Sequence, residues 1–186
     1  MRWGDRLGLI FFTFSTVVAV LAAIDKPSLL AWFVTPHNAI LAALYIIRNK
    51  ETKSNRTGLW LGLIASILPI VSFPESIHPA LLVVGLLGYA LIIWSLVVLG
   101  KSFGIAPADR GLVTKAPYNL VRHPMYLGEL VYRCALVGAT LSVFNLVLLA
   151  ALIAIQLMRI DMEETIITGY TEYQTQTRWR LVPGIW

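Results

Sequence analysis

The chain has 186 residues, of which 58% are hydrophobic and only 13% charged, about half the charged share of an ordinary soluble domain, so a water-soluble globular protein is excluded and the bilayer is the solvent. The net charge of +5 lies in short segments between apolar runs, where membrane insertion accounts for it, and nucleic-acid binding is set aside. The one cysteine, Cys134, allows no internal disulfide, and three scattered histidines give no metal-ligand spacing, so no metal is expected.

The first apolar run, residues 7–24, follows a basic start and is too long for a signal-peptide core, which predicts a retained signal-anchor helix. Further spans are expected at about 28–47, 57–73, 79–99, 124–140 and 143–158. Several are short for a hydrocarbon layer that takes about 20 helical residues. Thr35, Pro36, His37 and Asn38 interrupt the second span, where the proline frees a backbone carbonyl that a neighbouring polar side chain can satisfy; lining a substrate tunnel is the other reading. The fifth and sixth spans are separated only by a polar break around Leu141, Ser142 and Asn145, which predicts a helical hairpin.

Thirteen of the 15 lysines and arginines fall in segments 1–6, 48–56, 100–122 and 159–186. With six spans all four segments share one side, which the positive-inside rule makes cytoplasmic, together with both termini. The expected fold is an all-α polytopic bundle of about six spans with a cytoplasmic loop and a C-terminal amphipathic segment. It forms one integral membrane domain over 1–186, with four spans in 1–99 and the loop, hairpin and C-terminal segment in 100–186. Nothing specifies an oligomeric state. Only 100–123 and 161–186 are sizeable non-spanning pieces, so function is sought on the cytoplasmic face.

In the segment 100–129, Pro124 suits the first turn of a helix, which puts Arg122 and His123 at the mouth of the fifth span. Free N–H groups and Arg122 there make an anion site at the membrane surface, and Tyr118 and Tyr126 flank it with aromatic faces. A basic residue, a proline and tyrosines at a cytoplasmic helix end also satisfy the ordinary rules of membrane anchoring, and both readings stand. Glu129 and Arg133 are four apart on one helical face, with Arg133 roughly 13 Å below Pro124, so this face looks into the bundle or a wet cavity. Arg159 closes the sixth span, and the cluster Asp161, Glu163 and Glu164 can face Arg122 and His123 across the hairpin. Such carboxylates suit a cationic amine or sulfonium, a charge pattern that S-adenosylmethionine carries; a solvated cap on a final helix is the structural alternative.

The blocks RHPMYLG (122–128), GLVTKAPY (111–118), R-x-x-x-E-E (159–164) and the ending RWRLVPGIW (178–186) together resemble the isoprenylcysteine carboxyl methyltransferase family over about the last 85 residues. The resemblance implies a membrane enzyme that transfers a methyl group from S-adenosylmethionine to an amphiphilic, membrane-partitioned acceptor. It implies that Gly111, Leu112, Val113 and Tyr118 cradle the cofactor, that His123, Pro124, Met125 and Tyr126 line its amino-acid and adenosine parts, that Glu163, with Glu164 beside it, holds it, and that Arg159 faces an anionic group of the substrate. On this reading Arg159 and Glu163 are the catalytic pair.

After the glutamates the chain departs from the family pattern: Thr168-Gly169-Tyr170-Thr171-Glu172-Tyr173 is about two residues shorter, which alters the expected lid. Phospholipid N-methyltransferases and small-thiol methyltransferases share the fold. NADPH-dependent membrane sterol reductases carry a similar RHPxYLG segment, and a non-catalytic lipid-binding scaffold is the third class. A carboxylate acceptor requires no base, whereas an ammonium or thiol does. No buried Cys-His or lysine device is evident in the sequence, which favours a carboxylate or an acceptor deprotonated by solvent.

Overall fold

The computed structural model describes residues 3–25, 29–67 and 77–186. Seven helices make up the described chain: α1 Trp3–Asp25, α2 Leu29–Ile47, α3 Arg56–Ile67, α4 Pro79–Leu99, α5 Pro124–Ala139, α6 Val143–Ile166 and α7 Tyr170–Gln176. Each expected span coincides with one of α1 to α6 over its described residues, so the fold is all-α. Residues 68–73 of the third expected span lie outside the described residues, as do Met1, Arg2 and Lys26.

Among the described residues three helices are long and apolar enough to cross a membrane: Gly4–Asp25, Pro79–Ser102 and Val143–Ile166, with Thr35–Ile47 a shorter apolar helix. Their outward faces carry Phe14, Leu21, Leu87, Val97, Phe144 and Val147 fully in the open. In water that exposure would be costly; against lipid chains it is neutral, and the protein is an integral membrane protein.

Local chemistry sets the helix ends. Pro79 and Pro124 each occupy the first turn of a helix, where a missing N–H costs nothing. Ser142 caps α6 by accepting from the Asn145 N–H at 3.1 Å, while Asn145 Nδ2 donates back to the Thr140 carbonyl at 2.6 Å. These two bonds turn the expected polar break into the α5–α6 hairpin. The sixth helix does not stop near residue 158: α6 runs on to Ile166, because Arg159 to Thr165 are compatible with helix and Arg159, Glu163 and Glu164 find polar partners in the loop after α4, at the start of α5 and in the C-terminal segment. Arg159, Glu163 and Glu164 are therefore helical residues at fixed angular spacing rather than a cap after the helix.

The tightest seam joins α4 to α5. A Cβ on Gly88 would lie 2.7 Å from the Tyr132 nitrogen and 2.8 Å from the Gly128 carbonyl oxygen; one on Gly128 would lie 2.7 Å from the Gly88 oxygen. Only glycine permits this approach, in which van der Waals contact between backbones replaces the hydrophobic effect that is absent between helices in lipid. Around the seam a core of Phe12, Leu41, Tyr45, Leu59, Tyr89, Ile92, Leu96, Tyr132 and Leu136 joins α1 to α5. Phe103 and Ile105 insert into it from the loop after α4, and the Tyr45 hydroxyl accepts from the Ile105 N–H at 3.1 Å.

Inside α2, the His37 ring sits 5.9 Å from that of Tyr89, which in turn lies 5.8 Å from Tyr132. His37 thus packs against α4. On α5, Glu129 accepts from Gln156 Nε2 of α6, and the Arg133 guanidinium lies 5.4 Å from the Tyr132 ring centre. Of the polar face expected at 129 and 133, Glu129 turns toward the hairpin partner and joins the two helices.

Candidate active site

The loop from 100 to 123 is shaped by what grips it. A short 3-10 turn, Gly100–Ser102, leads out of α4. Residues 49–55, between α2 and α3, then run alongside the loop. Asn49 N–H donates to the Lys101 carbonyl at 2.7 Å, and Asn49 Nδ2 to the Arg110 carbonyl at 3.2 Å. Thr52 N–H donates to the Asp109 carbonyl and Asn55 N–H to the Pro107 carbonyl, each at 3.0 Å. Lys53–Ser54 (β1) pairs antiparallel with Ala108–Asp109 (β2), and Arg110 forms an ion pair with Glu51 at 2.5 Å. A loop with few apolar anchors thereby acquires a fixed backbone. Gly111, at φ +99°, turns the chain back in the left-handed region that favours glycine.

The other wall comes from the C-terminal segment. Arg122 N–H donates to the Trp179 carbonyl at 2.8 Å and His123 N–H to the Arg180 carbonyl at 2.9 Å. Two backbone donors that the sequence left free for an anion just before the α5 mouth are therefore occupied by the chain's own ending. Arg122 itself bonds Glu164 at 3.1 Å.

Across the hairpin the two glutamates have separate tasks. Glu164 is ringed by cations: Arg122 at 3.1 Å, His123 Nε2 at 3.2 Å and Arg180 at 2.7 Å. Its charge is spent inside the protein. Glu163 faces the other nitrogen of the same imidazole, Nδ1, at 3.5 Å and accepts from the Tyr126 hydroxyl. The His123 ring stacks between Tyr126 at 5.7 Å and Tyr170 at 6.2 Å. Burial works to lower the His123 pKa, but the hydrogen bonds and charges of Glu163 and Glu164 outweigh it, and the pKa is raised. Burial likewise raises Tyr118 and Tyr170, and takes Tyr173 up to about 12, so these phenols stay protonated hydrogen-bond donors. The Tyr173 hydroxyl donates to the Tyr118 carbonyl at 2.5 Å and ties α7 to the loop.

These pieces line one cleft that opens to solvent at its mouth. Of the residues expected to hold a cofactor, Gly111, Leu112, Val113, Tyr118, His123, Met125, Tyr126 and Glu163 line it together. Pro124 and Glu164 are not in the lining: Pro124 is fully buried in the first turn of α5, and Glu164 is turned to its three cations. Arg159 stands behind the Tyr126 ring, 5.0 Å from its centre, where it donates to the Ile105 carbonyl at 2.9 Å and to Gln156 Oε1 at 3.1 Å.

Residues that sequence reasoning did not single out complete the walls. Arg110, Tyr170 and Tyr173 line the cavity, Asp109 braces it, and Arg180 locks Glu164. Asp109 carries a readable signal, since an aspartate two residues before a glycine is the ordinary opening of a tight turn. Arg180 carries none, because its partners are 16 and 19 residues away and meet it only in space.

Glu163 is the only acidic residue in the lining, and four tyrosine rings surround the space. A carboxylate for a sulfonium or ammonium, aromatic faces for a flat base and a glycine turn where a ligand can approach backbone match the charge pattern and flat ring of S-adenosylmethionine. The phospholipid methyltransferase family matches residues 77–171, just over half the chain, from the start of α4 into α7. No curated protein matches the chain.

Proposed function

The chain belongs to the phospholipid methyltransferase family, membrane methyltransferases of lipid-like substrates, and on that premise we propose that it transfers a methyl group from S-adenosylmethionine to the amine of a lipid headgroup. The observation that carries the acceptor is the charge of the cavity. Arg110 is paired with Glu51, Arg122 with Glu164, and Arg159 is turned to the Ile105 carbonyl and Gln156. Glu163 is the one carboxylate among the described residues of the lining; it shares its charge with the His123 imidazole and leaves an acceptor oxygen for a cation.

The bound cofactor supplies an electrophilic methyl on a sulfonium, a leaving group that needs no acid. What the protein supplies is orientation, which for two held reactants is worth about 7–11 kcal/mol. Gly111, Leu112 and Val113 form one wall, and Tyr118, Tyr126 and Tyr170 present aromatic faces. Glu163, fixed by Tyr126 and His123, balances positive charge and is the carboxylate of the lining that would take the proton an ammonium acceptor must lose. Apolar lining from Leu99, Met125 and Ile167 keeps water from competing.

Esterification of an isoprenylcysteine carboxylate, the reading first suggested by the motifs, keeps one observation in its favour: Arg159 Nε is buried with no hydrogen-bond partner. The experiment that separates the two is transfer of radiolabelled methyl into membrane extracts, followed by alkali. Label that survives alkali in a phospholipid fraction is expected; label released as methanol marks an ester and overturns the amine reading. Calorimetry in detergent should show S-adenosylmethionine binding far more tightly than NADPH, and the reverse order would remove the methyltransferase assignment altogether.

A further inference from the structure

We propose that Asp109 is a positioning residue for the cofactor, latching the Gly111 turn on one wall of the cavity to the Thr168–Gly169 turn on the other; this rests on the cofactor reading above. The Asp109 carboxylate accepts three bonds: Oδ1 from the Gly111 N–H at 3.3 Å, and Oδ2 from the Thr168 N–H at 3.2 Å and the Thr168 hydroxyl at 2.6 Å. The residue is 7% exposed and is absent from the cavity lining, so it acts on a ligand only through the segments it joins.

Those segments are the two that matter for access. Gly111, Leu112 and Val113 line one side of the cavity, Ile167 and Tyr170 the other. Both turns pass through the left-handed region, Gly111 at φ +99° and Gly169 at φ +81°, so each has a defined shape that the aspartate can register. They also nearly touch: a Cβ on Gly169 would lie 3.9 Å from Leu112 Cδ2.

Asp109 is itself anchored from behind. Its carbonyl accepts from Thr52 N–H at 3.0 Å, and its backbone pairs with Lys53. The aspartate therefore transmits a fixed position from the 49–55 segment to both walls. Burial opposes its negative charge, but the Thr168 and Gly111 donors prevail and hold the carboxyl below its usual range, so the latch is charged, and charged acceptors make the stronger hydrogen bonds. The wall it holds leads directly into α7, which carries Tyr170 and Tyr173 into the cavity. Loss of the latch leaves that wall to be ordered by the ligand, and the ordering is subtracted from affinity.

The test is calorimetry of the full chain in detergent with S-adenosylmethionine and S-adenosylhomocysteine, together with steady-state kinetics. Asp109→Asn and Thr168→Val should each weaken binding of both ligands about tenfold, the cost of a charge-assisted bond. The double variant should be no weaker than the worse single one. Thr168→Ser, which keeps the hydroxyl, should bind like the parent. The kinetic signature is a raised KM for the cofactor with kcat at saturation within about twofold of the parent and KM for the acceptor unchanged; a general loss of structure would lower kcat instead. Thr168 is exposed, so its variants report even where Asp109→Asn does not fold. Parental affinity in both single variants, or strictly additive losses in the double one, overturns the latch. A parent that binds neither ligand overturns the cofactor reading and the latch with it.

Discussion

At the scale of single residues, adjacent glutamates one helical step apart have acquired different tasks because their neighbours differ. Glu164 sits among Arg122, His123 and Arg180, and removing its charge would leave two guanidinium groups and the buried imidazole facing one another. Glu164→Gln should therefore lower stability by about 3 kcal/mol, the lower end for breaking a buried ion pair, visible as a reduced Tm in detergent. Glu163→Gln should lower Tm less, since only the pairing with His123 Nδ1 loses its charge, and should in addition weaken S-adenosylmethionine binding. His123 adds a pH dependence. Its pKa in the folded chain is raised above the ordinary 6.5, so its favourable contribution is complete below pH 6.5 and is lost as pH rises through the folded value. Tm of the parent should decline across that window, and His123→Asn should flatten the decline; an equal slope in the variant would show that the two glutamates do not stabilise a charged imidazole.

At the scale of elements, the site depends on a seam that cannot slide and on a strap that holds a loop. Gly88 and Gly128 bring α4 and α5 so close that a methyl group on either meets backbone at 2.7 Å. Backbone cannot step aside as a flexible side chain can. Gly128→Ala should cost about 1–3 kcal/mol by overpacking and, because Tyr126 and His123 ride on the same helix, should also reduce cofactor affinity; an unchanged melt would mean that the helices tolerate separation. The helix mouth at 122–124 and the charges at 159–164 were legible because those residue types have a local reason to be there, and the block at 111–118 only through its resemblance to a known family. The strap at 49–55 was not, because its backbone bonds to 101–110 leave no trace in residue identity, and its side-chain partners, Asn49 with the Arg110 carbonyl and Glu51 with Arg110, stand 61 and 59 residues apart in the chain. The length of α6 was misread for a related cause: hydropathy marks where apolar residues end, whereas the helix ends where backbone partners do, eight residues later at Ile166.

At the scale of the whole molecule, the family match covers residues 77–171, yet the cavity borrows support from beyond it on both sides. Residues 49–55 hold the loop, and Trp179 and Arg180 pair with the mouth of α5. A fragment limited to 77–171 should therefore insert into membranes but fail to bind S-adenosylmethionine, with the full chain as the positive control; binding by the fragment at full-chain affinity would show the flanking segments to be dispensable. Apolar surface left in the open along α1, α4 and α6 explains how so small a chain is stable at all: lipid rather than water covers it, and internal packing has only to orient helices that the bilayer already enforces.

The sequence by itself determined that the chain lives in a membrane and where its helices lie, and it pointed to the blocks at 111–118, 122–128 and 159–164, since composition, apolar run length and local motif depend on neighbours along the chain. Tertiary structure alone decided which members of those blocks share a cavity. It set Glu163 inside and Glu164 in a clasp, placed Arg159 behind Tyr126, occupied the backbone donors at the α5 mouth with the chain's own ending, and brought Asp109 to Thr168 across 59 residues. Such choices follow from the direction in which a side chain leaves its helix or loop and from what stands opposite, and that is fixed only when the helices have packed.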